Sequence, residues 1–295
     1  MGIVLHPKVI AHRGASGYRP ENTLEAFELG LAMKADGIEF DVINTKDDVL
    51  IIRHENALSG TTDIANHPEL KSLYREGVVE GRSLQDWFSE DLTYEQIKTL
   101  RANERLADLR PGSAKFDGQF QIPTLKQILE SDFIQDKILV VELKRGSHLS
   151  ALSETIGKLT TDEIVASNVV GKDVILIIES FEEEILLDAK QHLVAAGIAA
   201  EYFLAIDSTK MVDCNIEALA GKFDGLSIAT HMLLSSDPWV PTCHALGLKV
   251  WVYTARAEKA TTTIEAYYEE LIQTGVDGIF ADQPDLLRRV LTERG

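Results

Sequence analysis

The stretch Ile38-Glu39-Phe40-Asp41-Val42 decides the architecture. A strand points alternate residues to opposite faces. Ile38, Phe40 and Val42 therefore share one face, and Glu39 and Asp41 share the other. Such a strand suits a closed barrel. Its apolar side meets a layer of helices, and its acids face the lumen near the strand's C-terminal end. Unpaired buried carboxylates are costly, so positive charge has to sit between them.

Working outward, eight runs rich in Val and Ile recur: 9–12, 37–42, 138–144, 174–180, 202–206, 225–230, 249–254 and 276–281. Amphipathic stretches of helix length separate most of them. This rhythm predicts a (β/α)8 TIM-type barrel. A ninth run, 49–54, follows the second too closely for a parallel crossover, which needs about a dozen residues or more. It reads as the antiparallel return of a hairpin, bringing His54 back toward the second strand.

Asn22 and Glu25 have capping-box spacing, and Leu24, Phe27, Leu31 and Ala35 follow at helical spacing. Asp36-Gly37 reads as the end of that helix. Later helices are expected over 181–196, 257–274 and 284–291. Residues 56–121 show little periodicity except at 94–100 and are too long for an ordinary connection. They read as an insertion after the second barrel strand, within a single domain spanning 1–295. Either the insertion covers the mouth of the barrel and shapes a pocket, or it only shields the barrel.

The 295 residues, 45% apolar and 26% charged, have an ordinary globular composition. No apolar run approaches the ~20 residues that span a bilayer. The net charge of −18 argues against nucleic acid as a partner. An anionic substrate then needs local Arg, Lys or a bound cation. Glu182-Glu183-Glu184 reads as a solvated face. Cys214 and Cys243, far apart in sequence, read as packed thiols. The first seven residues are too short and lack the basic region of a signal peptide. The expected location is cytoplasmic, or periplasmic or secreted if a leader has been removed.

Val140-Val141-Glu142-Leu143-Lys144 repeats the alternation, so a third carboxylate and a lysine converge on the same region. Three oxygen ligands without thiolates suit Mg²⁺ or Ca²⁺. An internal salt-bridge network with Arg13 and Lys144 is the other reading. His12 and His54 each end a strand at the same rim. Histidine serves as general acid or base near neutral pH. With Arg13 and Lys144 to hold a phosphate, the set suits a phosphate ester.

Glu21, Ser180 and Phe181 are softer candidates. Glu21 would order the loop while Asn22 caps the helix. Ser180 and Phe181 follow the fourth barrel strand, where they touch substrate or simply end the strand. Asp282 reads as a holder of the closing loop. His231 follows a barrel strand toward the mouth. His6, His67, His148, His192 and His244 read as surface or structural.

The chain resembles the glycerophosphodiester phosphodiesterases. The matching pieces are His12-Arg13-Gly14 with Pro20-Glu21-Asn22-Thr23, Glu39-x-Asp41, His54-Glu55, Glu142-x-Lys144, Val250-Trp251-Val252, and Gly275-Val276-Asp277-Gly278-Ile279 with Asp282-Gln283-Pro284-Asp285. They follow the family order and span nearly the whole chain. The resemblance implies a TIM-type barrel with an insertion where 56–121 fall, and a divalent cation on Glu39, Asp41 and Glu142. It implies His12 and His54 as the acid–base pair, and Trp251 as a wall of the substrate pocket. The implied substrates are glycerophosphodiesters, cleaved to sn-glycerol 3-phosphate and an alcohol such as choline or ethanolamine. The insertion, with Thr61-Thr62-Asp63 and Trp87-Phe88, is similar to that of the periplasmic or secreted branch. Glu55 stands where the family commonly has Asp, and Thr254 where it often has Asn. Two other readings are a phospholipase-type phosphodiesterase acting on lysophospholipids or phosphoinositides, and a non-catalytic phosphate-ester binding protein. An apolar rim would favour the lipid reading, and the insertion is mostly polar. Binding alone does not need an acid–base pair.

Overall fold

A computed structural model describes residues 6–79, 82–144, 154–208, 215–235 and 238–294. The predicted Cys214 and His148 features and the start of the N-terminus lie outside the described residues. Eleven strands are present among those described: β1 (Lys8–His12), β2 (Gly37–Asn44), β3 (Leu50–Ile52), β4 (Arg75–Val79), β5 (Arg82–Asp86), β6 (Ile138–Leu143), β7 (Ile175–Ser180), β8 (Glu201–Ile206), β9 (Gly225–Ala229), β10 (Lys249–Ala255) and β11 (Gly278–Ala281). Eight of them form a parallel barrel in the order β1-β11-β10-β9-β8-β7-β6-β2, closed by pairing of β1 with β2. β3 runs antiparallel to the end of β2, with Val42 opposite Ile52, as the short connection requires.

The alternation in β2 sets the layers. Ile38, Phe40 and Val42 join the main core between barrel and helices, with Phe27, Leu139, Val141 and Leu287. A smaller cluster fills the barrel interior: Ile10, Ile138, Val140, Ile177, Phe203, Trp251 and Phe280. Side chains thus plug the lower barrel, and the polar chemistry is confined to the C-terminal rim, where βα loops carry it in this architecture.

The segment between β3 and the helix Leu125–Glu130 carries the β4–β5 hairpin and short 3₁₀ turns. It has a core of its own, in which Leu58, Ile64, Leu70, Leu92, Ile97 and Leu100 pack on Ile43 and Ile51 of the β2–β3 hairpin. Its apolar residues come from turns rather than from one periodic element, so they leave little pattern in the sequence.

Several local expectations need correction. Thr23, not Asn22, caps the first helix, Leu24–Ala32, by accepting a hydrogen bond from Ala26 N. That helix ends before Ala35, because Lys34 adopts a positive φ of 69°. The stretch 257–274 is a short 3₁₀ turn, Ala257–Lys259, and then the helix Ile264–Gln273, capped by Thr263. The helix after β7 is Glu183–Ala195.

Trp251 is also relocated. It is 3% exposed and packs edge-on against Phe203, with ring centroids 5.2 Å apart, inside the barrel and below the mouth. Its indole occupies the space that Gly278, its partner on β11, leaves open, since a Cβ there would come within 2.6 Å of the ring. Tyr253, two residues further along β10, takes the wall position instead.

Trp251→Ala is therefore expected to lower stability by about 3–5 kcal/mol in chemical denaturation, the usual cost of removing a buried aromatic. Unchanged stability with an impaired substrate KM would return Trp251 to the pocket wall.

Candidate active site

The site begins with a turn that only glycine permits. After β1, Arg13 and Gly14 both have positive φ, 55° and 80°. A Cβ on Gly14 would lie 2.4 Å from the Ala26 backbone. The turn leaves His12 at the rim and aims the Arg13 backbone N–H at Glu39 Oε2, 2.8 Å away. Asn22, also at positive φ, folds the loop back over the barrel. Its side-chain amide donates to Asp41 Oδ2 at 2.7 Å. The 20–23 segment is thus part of the acidic site as well as a cap.

Glu39 and Asp41 project inward from β2, and Glu142 projects beside them from β6, where it pairs in register with Asp41. One carboxylate oxygen from each lies within 4.8 Å of the others. Burial, then the neighbouring Asp41 and Glu142 charges, push the Glu39 pKa well up. Burial raises Glu142 as well. Asp41 goes the other way: burial opposes ionisation, but Lys144, Arg13 and Asn22 hold the carboxylate charged. Lys144 pairs with Asp41 Oδ1 at 2.7 Å and with Glu142. Arg13 donates from Nη1 to Glu21 at 2.8 Å, with its Nε 3.2 Å from Asp41. The salt-bridge network is present, and Arg13 and Lys144, paired with these carboxylates, also line the clefts. The salt bridges leave Glu39 Oε1 buried without a hydrogen-bond partner. Three converging oxygen donors with one buried oxygen unsatisfied fit a hard divalent cation.

Two histidines flank the acids, each held through Nδ1 by a carboxylate. His12 Nδ1 is 2.7 Å from Asp282 Oδ1, and His54 Nδ1 is 2.7 Å from Glu55 Oε1. Asp282 is held ionised, against the effect of burial, by His12, Arg110 and Arg256. Glu55 is likewise lowered to about 2 against burial, chiefly by its bond to His54. An ionised carboxylate can only accept, so each Nδ1 donates, which leaves Nε2 as the ring nitrogen available for proton transfer. His12 Nε2 stands 3.9 Å from Glu39 and 3.4 Å from Thr254 Oγ1. Glu55 thus does for His54 what Asp282 does for His12.

Asp282 orients His12 and also ties down the closing loop by pairing with Arg110. Glu21 joins Arg13 to Arg105. Phe181 lines the cleft and meets Tyr253 edge-on at 5.5 Å. Ser180 lines the adjoining cleft, with its hydroxyl donating to Leu143 O and accepting from Glu182 N at the strand end. His231 is exposed on a short helix and does not line the clefts. Glu182, read as solvated, borders an adjoining cleft of about 240 Å³ with Glu55, Asn56, Asp207 and Tyr253.

Sequence reasoning missed four residues of the site. Glu179 of β7 lies beside Glu142 in register, and burial with the Glu142 charge raises its pKa well above normal. Its inward alternation with Ile177 was the available signal. Arg105, Arg110 and Arg256 come from irregular segments with no periodicity to mark them. Arg110 reaches Glu258, Ser16 O and Asp282, closing the rim between distant parts of the chain.

The glycerophosphoryl diester phosphodiesterase family model matches residues 12–286. The chain is 28% identical to a glycerophosphodiester phosphodiesterase from Caldanaerobacter subterraneus subsp. tengcongensis, covering 97% of this chain and 98% of that one. A glycerophosphodiester phosphodiesterase from Arabidopsis thaliana is 35% identical over 42% of this chain, which spans 32% of that protein's length. A solved phosphodiesterase from Oleispira antarctica, in complex with the product sn-glycerol-3-phosphate, superposes with a TM-score of 0.65 at 25% identity, covering 97% of each chain.

Burial, followed by the Arg13 charge, outweighs the pull of Asp282 and lowers the His12 pKa to about 4. In the unfolded chain it titrates near 6.5, so this group removes stability as pH falls from about 6.5 toward 4. NMR titration of the metal-free protein is expected to find His12 neutral and protonated at Nδ1 at pH 6. A midpoint near 6.5 would show that burial does not prevail.

Proposed function

Since the chain belongs to the glycerophosphoryl diester phosphodiesterase family, we propose that it hydrolyses glycerophosphodiesters to sn-glycerol 3-phosphate and an alcohol, with a divalent cation and two histidines. The single observation that carries the reading is the pair of carboxylate-anchored histidines on either side of one acidic cluster. Simple binding does not require two imidazoles each oriented through Nδ1 by a carboxylate.

Glu39, Asp41 and Glu142 would hold the cation, Mg²⁺ or Ca²⁺. Such an ion orients a phosphate ester and stabilises negative charge on its oxygens. Arg13 and Lys144 keep Asp41 ionised and add positive charge on the side of the site that meets the phosphate. The substrate's own glycerol hydroxyl attacks phosphorus. One histidine Nε2 takes that hydroxyl proton, and the other histidine, protonated, gives its proton to the departing alkoxide. A cyclic phosphate results. Water then opens it with the proton roles reversed, giving sn-glycerol 3-phosphate. The adjoining cleft beside Phe181 and Tyr253 receives the leaving alcohol. The face this cleft borrows from the insertion is Asn56, Val79, Ser89 and Glu90, with one apolar side chain among the four, which favours a water-soluble diester over a lipid chain. The acidic cluster lies within the protein's own barrel mouth, and no described helix is long and apolar enough to cross a membrane.

The test is release of glycerol 3-phosphate from a panel of glycerophosphodiesters. His12→Ala and His54→Ala are each expected to lower kcat by about 10²-fold or more. A variant with near-normal kcat removes that histidine from the chemistry. A substrate lacking the free glycerol hydroxyl is expected to resist cleavage, and cleavage at the full rate would replace internal attack with direct attack by water.

A further inference from the structure

The cleft is lined by two guanidinium groups with no part in the steps above, Arg105 and Arg256. They come from unrelated places. Arg105 lies in the segment between β3 and the helix Leu125–Glu130, and Arg256 lies just after β10. Both line the same cleft of about 240 Å³ as His12, Arg13, Glu39 and His54. Each sits beside a carboxylate, one by a hydrogen bond and the other by an ion pair. Arg105 Nε donates to Glu21 Oε2 at 3.1 Å, and Arg256 Nε lies 3.1 Å from Asp282 Oδ2. Each anchor is a carboxylate that also holds a central site residue, Glu21 through Arg13 and Asp282 through His12.

The remaining nitrogens decide what these groups are for. Among the described residues, neither guanidinium makes any other hydrogen bond or ion pair, so the Nη1 and Nη2 ends of both are left for the cleft. The side chains are 28% and 22% exposed, which leaves them open to the cleft but partly shielded from bulk water. Arg256 also lies within electrostatic reach of Arg105, Arg13 and Arg110, and burial together with those charges lowers its pKa. Asp282 and Glu21 offset part of the repulsion among these arginines, and an anion bound in the cleft would offset more. A guanidinium presents parallel N–H groups that match two oxygens of a phosphate, and the Nε hydrogen bond of Arg105 sets the plane of its fork in advance. By contrast, Arg13 and Lys144 direct donors to Glu21, Asp41, Glu39 and Glu142.

We propose that Arg105 and Arg256 form a two-armed clamp for the phosphate group of the substrate and product, in the cleft that Glu39 and Glu142 also line. The inference rests on the reaction proposed above and deepens it, by naming which donors grip the non-bridging oxygens. Both arms are positioned by the network that sets His12 and Arg13, so phosphate and proton-transfer groups share one framework. Arg105 gives the segment after β3 a direct part in binding.

The test measures binding of inorganic phosphate and of sn-glycerol 3-phosphate to the whole protein by calorimetry without substrate, and KM and kcat for a glycerophosphodiester. Arg105→Gln and Arg256→Gln are each expected to weaken both anions about tenfold, the worth of a charge-assisted hydrogen bond, and to raise KM more than they lower kcat. Arg105→Lys and Arg256→Lys should recover part of the loss. Arg101→Gln, in the same segment but bonded only to nearby backbone carbonyls, should change neither quantity. Melting curves establish that each variant is folded. Folded Gln variants that bind both anions with wild-type affinity would overturn the clamp, as would an equal loss in Arg101→Gln. The two proposals fail separately. Phosphate binding that depends on the two arginines in a protein that cleaves no glycerophosphodiester sinks the reaction and leaves the clamp. Cleavage with anion affinity indifferent to both arginines does the reverse.

Discussion

Mutual repulsion among Glu39, Asp41 and Glu142 is the constraint on which the rest of the site depends. Three carboxylates at one buried spot cannot all ionise without compensation. Burial and the neighbouring acids push Glu39 and Glu142 up, while Lys144 and Arg13 hold Asp41 charged. The surrounding sequence answers that conflict. The strained turn at Arg13 and Gly14 brings a backbone N–H and a guanidinium to the acids. Asn22 reaches Asp41, and Lys144 bridges Asp41 and Glu142. One Glu39 oxygen is still unsatisfied, the expected position for a cation ligand.

A second layer of charge fixes the catalytic geometry. Asp282 receives His12, Arg110 and Arg256, and Glu21 receives Arg13 and Arg105. Each carboxylate therefore couples a residue of the barrel rim to one from a long loop. Removing one partner leaves a buried charge unpaired, which costs far more than the pair itself contributes. These pairs act as alignment devices, since replacing a buried pair by apolar groups is often neutral for stability.

Much of this was legible in the sequence, and the reason is periodicity. The two-residue repeat of β2 and β6 places Glu39, Asp41 and Glu142 on one face whatever the tertiary details. The βα rhythm gives the barrel, and the short connection after β2 gives the antiparallel β3. Contacts between residues distant in sequence were not legible. His12 and Asp282 are 270 positions apart, and no local pattern joins them. Arg105, Arg110 and Arg256 sit in turns, where neither helical nor strand spacing marks a side chain's direction. Trp251 was misplaced because its strand leaves the depth along the barrel open. The gap above Gly278 draws the indole down into the core and leaves the wall to Tyr253. Asn22 was misassigned because its type suits a cap, and Thr23 next to it suits one equally well.

The central claim is that the three carboxylates form a site for a divalent cation. Calorimetric titration of the metal-stripped protein with Mg²⁺ and Ca²⁺ tests it most directly, with Glu39→Gln and Glu142→Gln measured alongside. The expected result is one saturable site in the wild type, weakened by about tenfold or more in each variant. Absence of binding by the wild type, or the same affinity in both variants, would contradict it.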